Sequence, residues 1–244
     1  VFVLLAGVVS LVRGLGLERD LAVGTMRAFV QLTLMGYALK VIFALDVGWL
    51  VLTVFCAMIA MAVHTIRGRV KERRVAYAWP LFATMLATYL AVTAVVTGVV
   101  IQARPWWTPQ YFIPIGGMVV GNSMTAIAIS LERLFSSLRQ RRDEVEMRLC
   151  LGAEVAEATA DITRDAVKAG MIPSINSLMA VGLVFLPGMM TGQILSGTDP
   201  LIAIRYQLVV MCMLAASTAL GSMAVVRLVR SRCFGPGMRP VLRK

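Results

Sequence analysis

Apolar residues run along the chain in seven stretches, at 1–12, 21–44, 49–64, 77–101, 111–132, 171–193 and 201–226, separated by polar or charged joints. An α-helix rises 1.5 Å per residue, so about 20 apolar residues cross the ~30 Å hydrocarbon core of a bilayer. The pattern predicts an all-α polytopic membrane protein of about seven spans, built as one transmembrane domain over residues 1–244. The first stretch is too short to cross alone and reads as a trimmed or tilted helix. It is also too short, and too closely followed by a charged turn, to be a cleaved signal peptide.

One joint differs from the rest. Residues 139–170 read RQRRDEVEMRLCLGAEVAEATADITRDAVKAG and sit between the fifth and sixth stretches. Within them Val155, Thr159, Ile162 and Ala166 share one helical face, while Glu157, Asp161, Arg164, Asp165 and Lys168 occupy another. The spacing predicts an amphipathic helix outside the bilayer, with ion pairs Asp161–Arg164 and Asp165–Lys168. Gly170 and Pro173 are expected to stop or turn that helix before the chain re-enters the membrane. Such a segment is either a solvated connector or a docking helix for a soluble partner.

Composition agrees with the membrane reading: 59% of residues are hydrophobic and mean hydropathy is +0.80. The net charge of +11 is unevenly placed. Alternate joints hold 21 of the 24 Lys and Arg residues. The positive-inside rule then puts the N-terminus outside and the C-terminus in the cytoplasm. It also makes basic runs such as RGRVKERR anchors beside anionic lipid rather than a nucleic-acid surface. Trp49, Trp106, Trp107 and Tyr111 fall at one boundary, Tyr77 and Trp79 at the other, as an aromatic belt requires. Cys56, Cys150, Cys212 and Cys233 are scattered with no CxxC, which supports neither a disulfide frame nor a zinc site. His64, the single histidine, lies at a span end.

No Asp, Glu, Lys or Arg lies near the centre of a predicted span, which argues against a proton relay. Sodium coupling through backbone carbonyls stays open. Uncharged polar residues do occur inside: Gln31, the patch Gly116, Gly117, Gly121, Asn122 and Ser123, then Ser174, Asn176 and Ser177, with Thr191 and Gln193 beyond. They serve either helix packing or a transport path, for which Gly121, Asn122, Ser123, Asn176, Pro187 and Gln193 are the candidates. Pro187, in FLPGMMTGQ, cannot donate to the Leu183 carbonyl and is expected to kink the sixth span, with Gly188 adding freedom. Of 16 methionines, Met189 and Met190 are the candidates for metal contact. Thioethers favour soft metals but equally fill gaps, so no ligand set is assigned.

The segments IPIGGMVVGNSM, LGAEVAEA and PSINSLMAVGLVFLPGMMTGQILSGTDPLIAIRYQ resemble the FetB-type ABC transporter permeases, to which plant aluminium-tolerance membrane proteins are related. The resemblance implies a membrane subunit, a homodimer in a bacterial inner (plasma) membrane, powered by a separate ATP-binding subunit. Bacterial members are associated with iron export and plant members with a nucleotide sugar. The chain has no G-x-x-x-x-G-K-[ST] loop, so no catalytic residue and no cofactor is expected in it; ATP and Mg belong to the partner. Residues 151–170 stand where such permeases present a coupling helix, which makes Glu154, Glu157, Asp161, Arg164, Asp165 and Lys168 the expected ATPase-docking residues. The stretch departs from the importer EAA pattern, so docking rests on its position and amphipathicity. Export of iron or a related metal is the leading expectation. A nucleotide sugar or other organic solute is the alternative, and a non-transporting scaffold or sensor a third.

Overall fold

A computed structural model describes residues 2–14, 16, 18–45, 47–70, 75 and 77–235. The joint residue Asp46 and the basic anchors Lys71, Arg73, Arg74, Arg239, Arg243 and Lys244 lie outside the described residues. Among the described residues ten α-helices follow in chain order: α1 (Phe2–Arg13), α2 (Glu18–Leu45), α3 (Gly48–Arg69), α4 (Ala78–Val95), α5 (Pro109–Gln140), α6 (Arg142–Cys150), α7 (Val155–Ala158), α8 (Ala160–Ala180), α9 (Gly188–Leu195) and α10 (Pro200–Arg232). A π-helical turn, Val96–Val100, extends α4. Five of these are long and apolar enough to cross a membrane: α2, α3, α4 with its π turn, α5 and α10. Among the described residues five continuous helices are candidate spans, where the apolar pattern predicts about seven. The first stretch forms the 12-residue α1, and the sixth is not one helix.

The chain divides into two compact units, Val1–Leu50 and Val51–Lys244. In the first, the Ser10 hydroxyl donates to the Glu18 carboxylate at 2.8 Å, tying α1 to the start of α2. Helix α2 leaves almost its whole length exposed, with Phe29, Leu32 and Tyr37 on its surface. An apolar helix exposed in this way suits lipid rather than water.

In the second unit α5 is central, packing against α4, α8 and α10, and α10 also packs on α4 and α8. Phe55, Tyr89, Phe112, Ile127, Leu131, Leu134 and Ile162 are fully buried there. Phe55 and Phe112 meet edge to face at 5.3 Å. Small residues let the helices approach. A Cβ on Gly170 would overlap the Ser130 hydroxyl and stand 2.6 Å from the Ala126 carbonyl oxygen. Gly170 is thus the flat spot on which α8 lies against α5, and not the end of a helix. Helix α8 also runs on through Pro173. The expected stop is corrected accordingly: one helix carries both the charged face and the start of the sixth apolar stretch.

Candidate functional site

The sixth apolar stretch breaks in its middle. After Ala180 the backbone of Val181 turns extended and Gly182 takes φ +84°, a conformation a β-carbon disfavours. The freed polar groups are partly reused within the break. The N–H of Val184 donates to the Ala180 carbonyl at 2.9 Å, and that of Gly182 to the Phe185 carbonyl at 3.0 Å. Pro187 then sits in extended geometry (φ −62°, ψ 145°) and α9 begins at Gly188. Pro187 does not kink a continuous span as expected. The break falls at Gly182, and Pro187 starts the next helix. Its carbonyl accepts from the Thr191 N–H at 3.0 Å and from the Thr191 hydroxyl at 3.1 Å. No side chain caps the N-terminus of α9. At α10, by contrast, Asp199 Oδ1 accepts from the N–H groups of Leu201 and Ile202 at 2.8 and 3.4 Å.

Beside the break lies a cavity of about 560 Å³. Helix α5 contributes Met118, Gly121 and Asn122, and α8 contributes Pro173, Ser174 and Ser177. The break and α9 contribute Phe185, Pro187, Gly188 and Met189, and α10 contributes Gln207 and Met211. Ser174 Oγ donates to Thr218 Oγ1 at 3.3 Å, which links α8 to α10. Asn122 Nδ2 donates to the Met118 carbonyl at 3.0 Å, leaving its side-chain oxygen out of that bond.

Of the expected path residues, Gly121, Asn122 and Pro187 border the cavity, and so does the metal candidate Met189. The others do not. Ser123 is fully buried within the helix packing. Asn176 is exposed on α8, and Gln193 is half-buried on α9. Met190 is buried away from the cavity lining. Gln207 was not among the candidates. Its residue is 6% exposed, and its carboxamide oxygen is buried with no hydrogen-bond partner. The signal available was an uncharged amide in the stretch IAIRYQLVVM, two residues past Arg205 and followed by an unbroken apolar run.

The lining holds no Asp, Glu, His, Cys, Lys or Arg. Among the described residues no three such metal-binding groups (His, Cys, Asp or Glu) gather anywhere. What the cavity offers is amides, hydroxyls, thioethers and backbone, a donor set suited to a neutral or hydrogen-bonding solute more than to a bare hard cation.

The charged segment forms a second, separate surface. The residues Glu154, Glu157, Asp161, Arg164, Asp165 and Lys168 are all exposed, while Thr159, Ile162 and Ala166 are buried. Glu157 Oε2 accepts from the Glu154 N–H at 3.2 Å, closing the start of α7. The expected Asp161–Arg164 pair gives way to Asp161–Arg148 at 3.3 Å. Arg148 also binds Glu144 at 2.7 Å and the Ala158 carbonyl at 3.3 Å. It thereby joins α6 to α7 and α8 across the turn at 151–154. No Asp165–Lys168 pair forms among the described residues, so both face outward. Between α5 and α6 the Arg141 guanidinium donates to Glu144 at 2.7 and 2.8 Å. This holds the Glu144 carboxyl below its usual range and raises Arg141.

Residues 1–234 match the model of a family described as Uncharacterised protein family (UPF0014). The chain belongs to the UPF0014 family. Its relatives span kingdoms. The UPF0014 membrane protein slr1647 of Synechocystis sp. is 39% identical over 226 residues, covering 91% of this chain and 86% of that one. A protein of Escherichia coli named Probable iron export permease protein FetB is 32% identical over 90% of this chain and 83% of its own. Protein ALUMINUM SENSITIVE 3 of Arabidopsis thaliana is 34% identical over 91% of this chain and 80% of its own. No solved structure matches the chain. This UPF0014 protein is thus an integral, multi-pass membrane protein, all-helical apart from turns and isolated bridges among its described residues.

Proposed function

We propose that this protein is the membrane subunit of an ATP-driven exporter, itself without catalytic activity, and that its cargo crosses at the cavity beside the broken helix. The observation that carries this reading is the break between α8 and α9 over an uncharged cavity. Discontinuous helices that expose their ends to a polar cavity near the bilayer midplane are a recurring transporter device. The lengths fit. From Lys168, the last charged residue of α8, twelve residues reach Ala180, about 18 Å of helix; the eight residues of α9 add about 12 Å. Together they match a ~30 Å core with the break in its interior.

Irregular backbone at that depth needs cover by protein or water, not lipid. Leu183 and Val184 are 91% and 81% exposed in the single chain. A second copy of the chain, packed at the break, supplies that cover, so the working unit is a homodimer in the inner (plasma) membrane. By the positive-inside rule the basic joint that carries α7 and the first half of α8 faces the cytoplasm, and it receives a separate ATPase subunit. Since α8 is one helix from Ala160 to Ala180, a force on Arg164, Asp165 or Lys168 reaches the break directly. Export of iron or a related metal is supported by the E. coli relative's name. Cargo in the form of an organic solute or complex is favoured by the cavity's volume and its lack of hard anionic ligands.

The test is co-purification with a co-expressed ATP-binding subunit from the same organism, followed by ATPase assays in nanodiscs. Reversing Arg164, Asp165 and Lys168 together is expected to abolish complex formation while the permease still folds. Full coupling after that reversal sinks the docking role. Cellular iron that is unchanged on deletion, with another solute accumulating, sinks the metal assignment.

A further inference from the structure

We infer, resting on the permease reading for the partner's identity, that the ATPase subunit grips this protein by an apolar knob. Met147 and Leu151, at the turn between α6 and α7, form the knob. It seats in an apolar pocket of the ATPase subunit whose rim carries Lys and Arg.

Exposed apolar side chains on the spans suit lipid, but these two stand in water. Met147 is 57% exposed and Leu151 80%. On α5 the first charges after the apolar stretch are Glu132 and Arg133, and the helix runs on to Gln140, about 12 Å farther. On α8 the last charge is Lys168 and the helix starts at Ala160, again about 12 Å away. The contact of Gly170 with Ala126 and Ser130 sets these two boundaries at nearly one level. Headgroups add about 5–7 Å to each side of the hydrocarbon core, so the far ends of both helices clear them. The Arg148 guanidinium donates to the Ala158 carbonyl and to Asp161 at the start of α8. The turn that follows Arg148 therefore lies at that far end and not back along the spans.

A lone exposed leucine is ordinary on any protein. Here Met147 stands one turn before Leu151, on the same side of the helix, and the pair is held rigid. Gly152 takes φ +93°. Its N–H donates to the Leu149 carbonyl at 3.0 Å, and the Ala153 N–H donates to the Arg148 carbonyl at 3.1 Å. These two bonds close the end of α6 and fix Leu151 as its cap. Arg148 braces the turn through Glu144 at 2.7 Å and Asp161 at 3.3 Å. A contact shaped before binding loses little entropy on association. The surrounding charge selects the partner. Residues 143–165 hold seven acidic against two basic residues, in a chain of net charge +11. An anionic leaflet, which attracts the basic joints, repels such a segment. Glu154 and Glu157 stand exposed just after the knob. An apolar pocket with a basic rim complements both the knob and its acidic border.

The test uses the full chain in nanodiscs and measures its equilibrium binding to a co-expressed ATP-binding subunit from the same organism. Leu151→Ser combined with Met147→Ser weakens the complex roughly tenfold to a hundredfold, the range for losing a buried leucine. The yield stays normal, because both side chains are exposed in the free chain. Leu151→Met keeps the knob and binds within about threefold of the wild type. Glu154→Lys combined with Glu157→Lys weakens binding, and added salt weakens the wild type more than this variant. Wild-type affinity in the double serine variant overturns the proposal. So does a serine variant that loses only its hold on anionic vesicles, or only its self-association, while ATPase binding persists. Binding that ignores both salt and the lysine substitutions overturns the basic rim. A wild-type chain that binds no ATPase subunit overturns the permease reading and the knob together. A wild type and a serine variant that bind it equally overturn the knob alone.

Discussion

Helices α9 and α10 begin twelve residues apart and begin differently. Both have a proline at the threshold, Pro187 as the N-cap of α9 and Pro200 as the first residue of α10. At α10 the residue before proline is Asp199, whose carboxylate occupies the free amides. At α9 the residue after proline is Gly188, and the amides stay open toward a cavity. A helix that needs only to start well closes its own end. One that leaves its end open beside a cavity forgoes that stabilisation, as a helix does where it serves the cavity rather than its own start.

The contrast can be broken in descending steps. The largest effect is expected from Gly170→Leu, which drives a branched side chain into Ser130 and Ala126 and lifts α8, the support of the break, off α5. Little monodisperse protein is expected in detergent, whereas Gly192→Ala, facing open space, keeps the normal yield. Next, Gly182→Val forces a β-branched residue into φ +84°, at about 1–2 kcal/mol, and lowers Tm by a few degrees with loss of transport. An exchange of caps follows. Pro187→Asp gives α9 the closure that α10 has and is expected to block cargo binding; its cap contributes about 1 kcal/mol, which the cost of a charge in the membrane interior, about 2.5–3.5 kcal/mol, outweighs. Asp199→Ala opens α10 and lowers stability by about 1 kcal/mol without creating a binding site. A Pro187→Asp variant that still exports at the normal rate dissolves the comparison.

The smallest effect concerns the far end of α8's assembly. Glu144 is depressed by its hydrogen bonds from Arg141. A carboxylate with a lowered folded pKa contributes stability that is present above its unfolded value and lost as pH falls through the folded one. Acidification below the usual carboxylate range therefore loosens the α6 staple, and Glu144→Gln flattens the acid side of the Tm–pH curve.

Hydropathy made the spans α2 to α5 and α10 readable, because a continuous apolar run of that length has one solution in lipid. The charged face 157–168 was equally plain, and its exposure follows from the i, i+4 spacing. The break was misplaced because proline is the stronger sequence signal for disruption, yet Pro173 is absorbed inside α8 while the chain turns at Gly182, whose positive φ no periodicity announces. Gly170 read as a stop for a related reason. Glycine marks both helix ends and close helix contacts, and only the neighbouring Ser130 and Ala126 decide between them. Asn176 and Gln193 are polar residues in the right stretch, but Asn176 is exposed on α8 and neither borders the cavity. Arg148 escaped notice because its partners Glu144, Ala158 and Asp161 meet only once the turn at 151–154 is folded.

The uncharged cavity lining has an electrical consequence. A carrier whose path holds no fixed charge displaces none of its own as it moves between states. The membrane voltage then acts on the cargo alone, with work of about 2.3 kcal/mol per elementary charge for each 100 mV. With a negative cell interior, every negative charge on a departing solute is driven outward and every positive one is held back. The current per transport cycle in such a carrier equals the valence of what it carries, and ATP has less work to do for an anionic complex than for the naked metal.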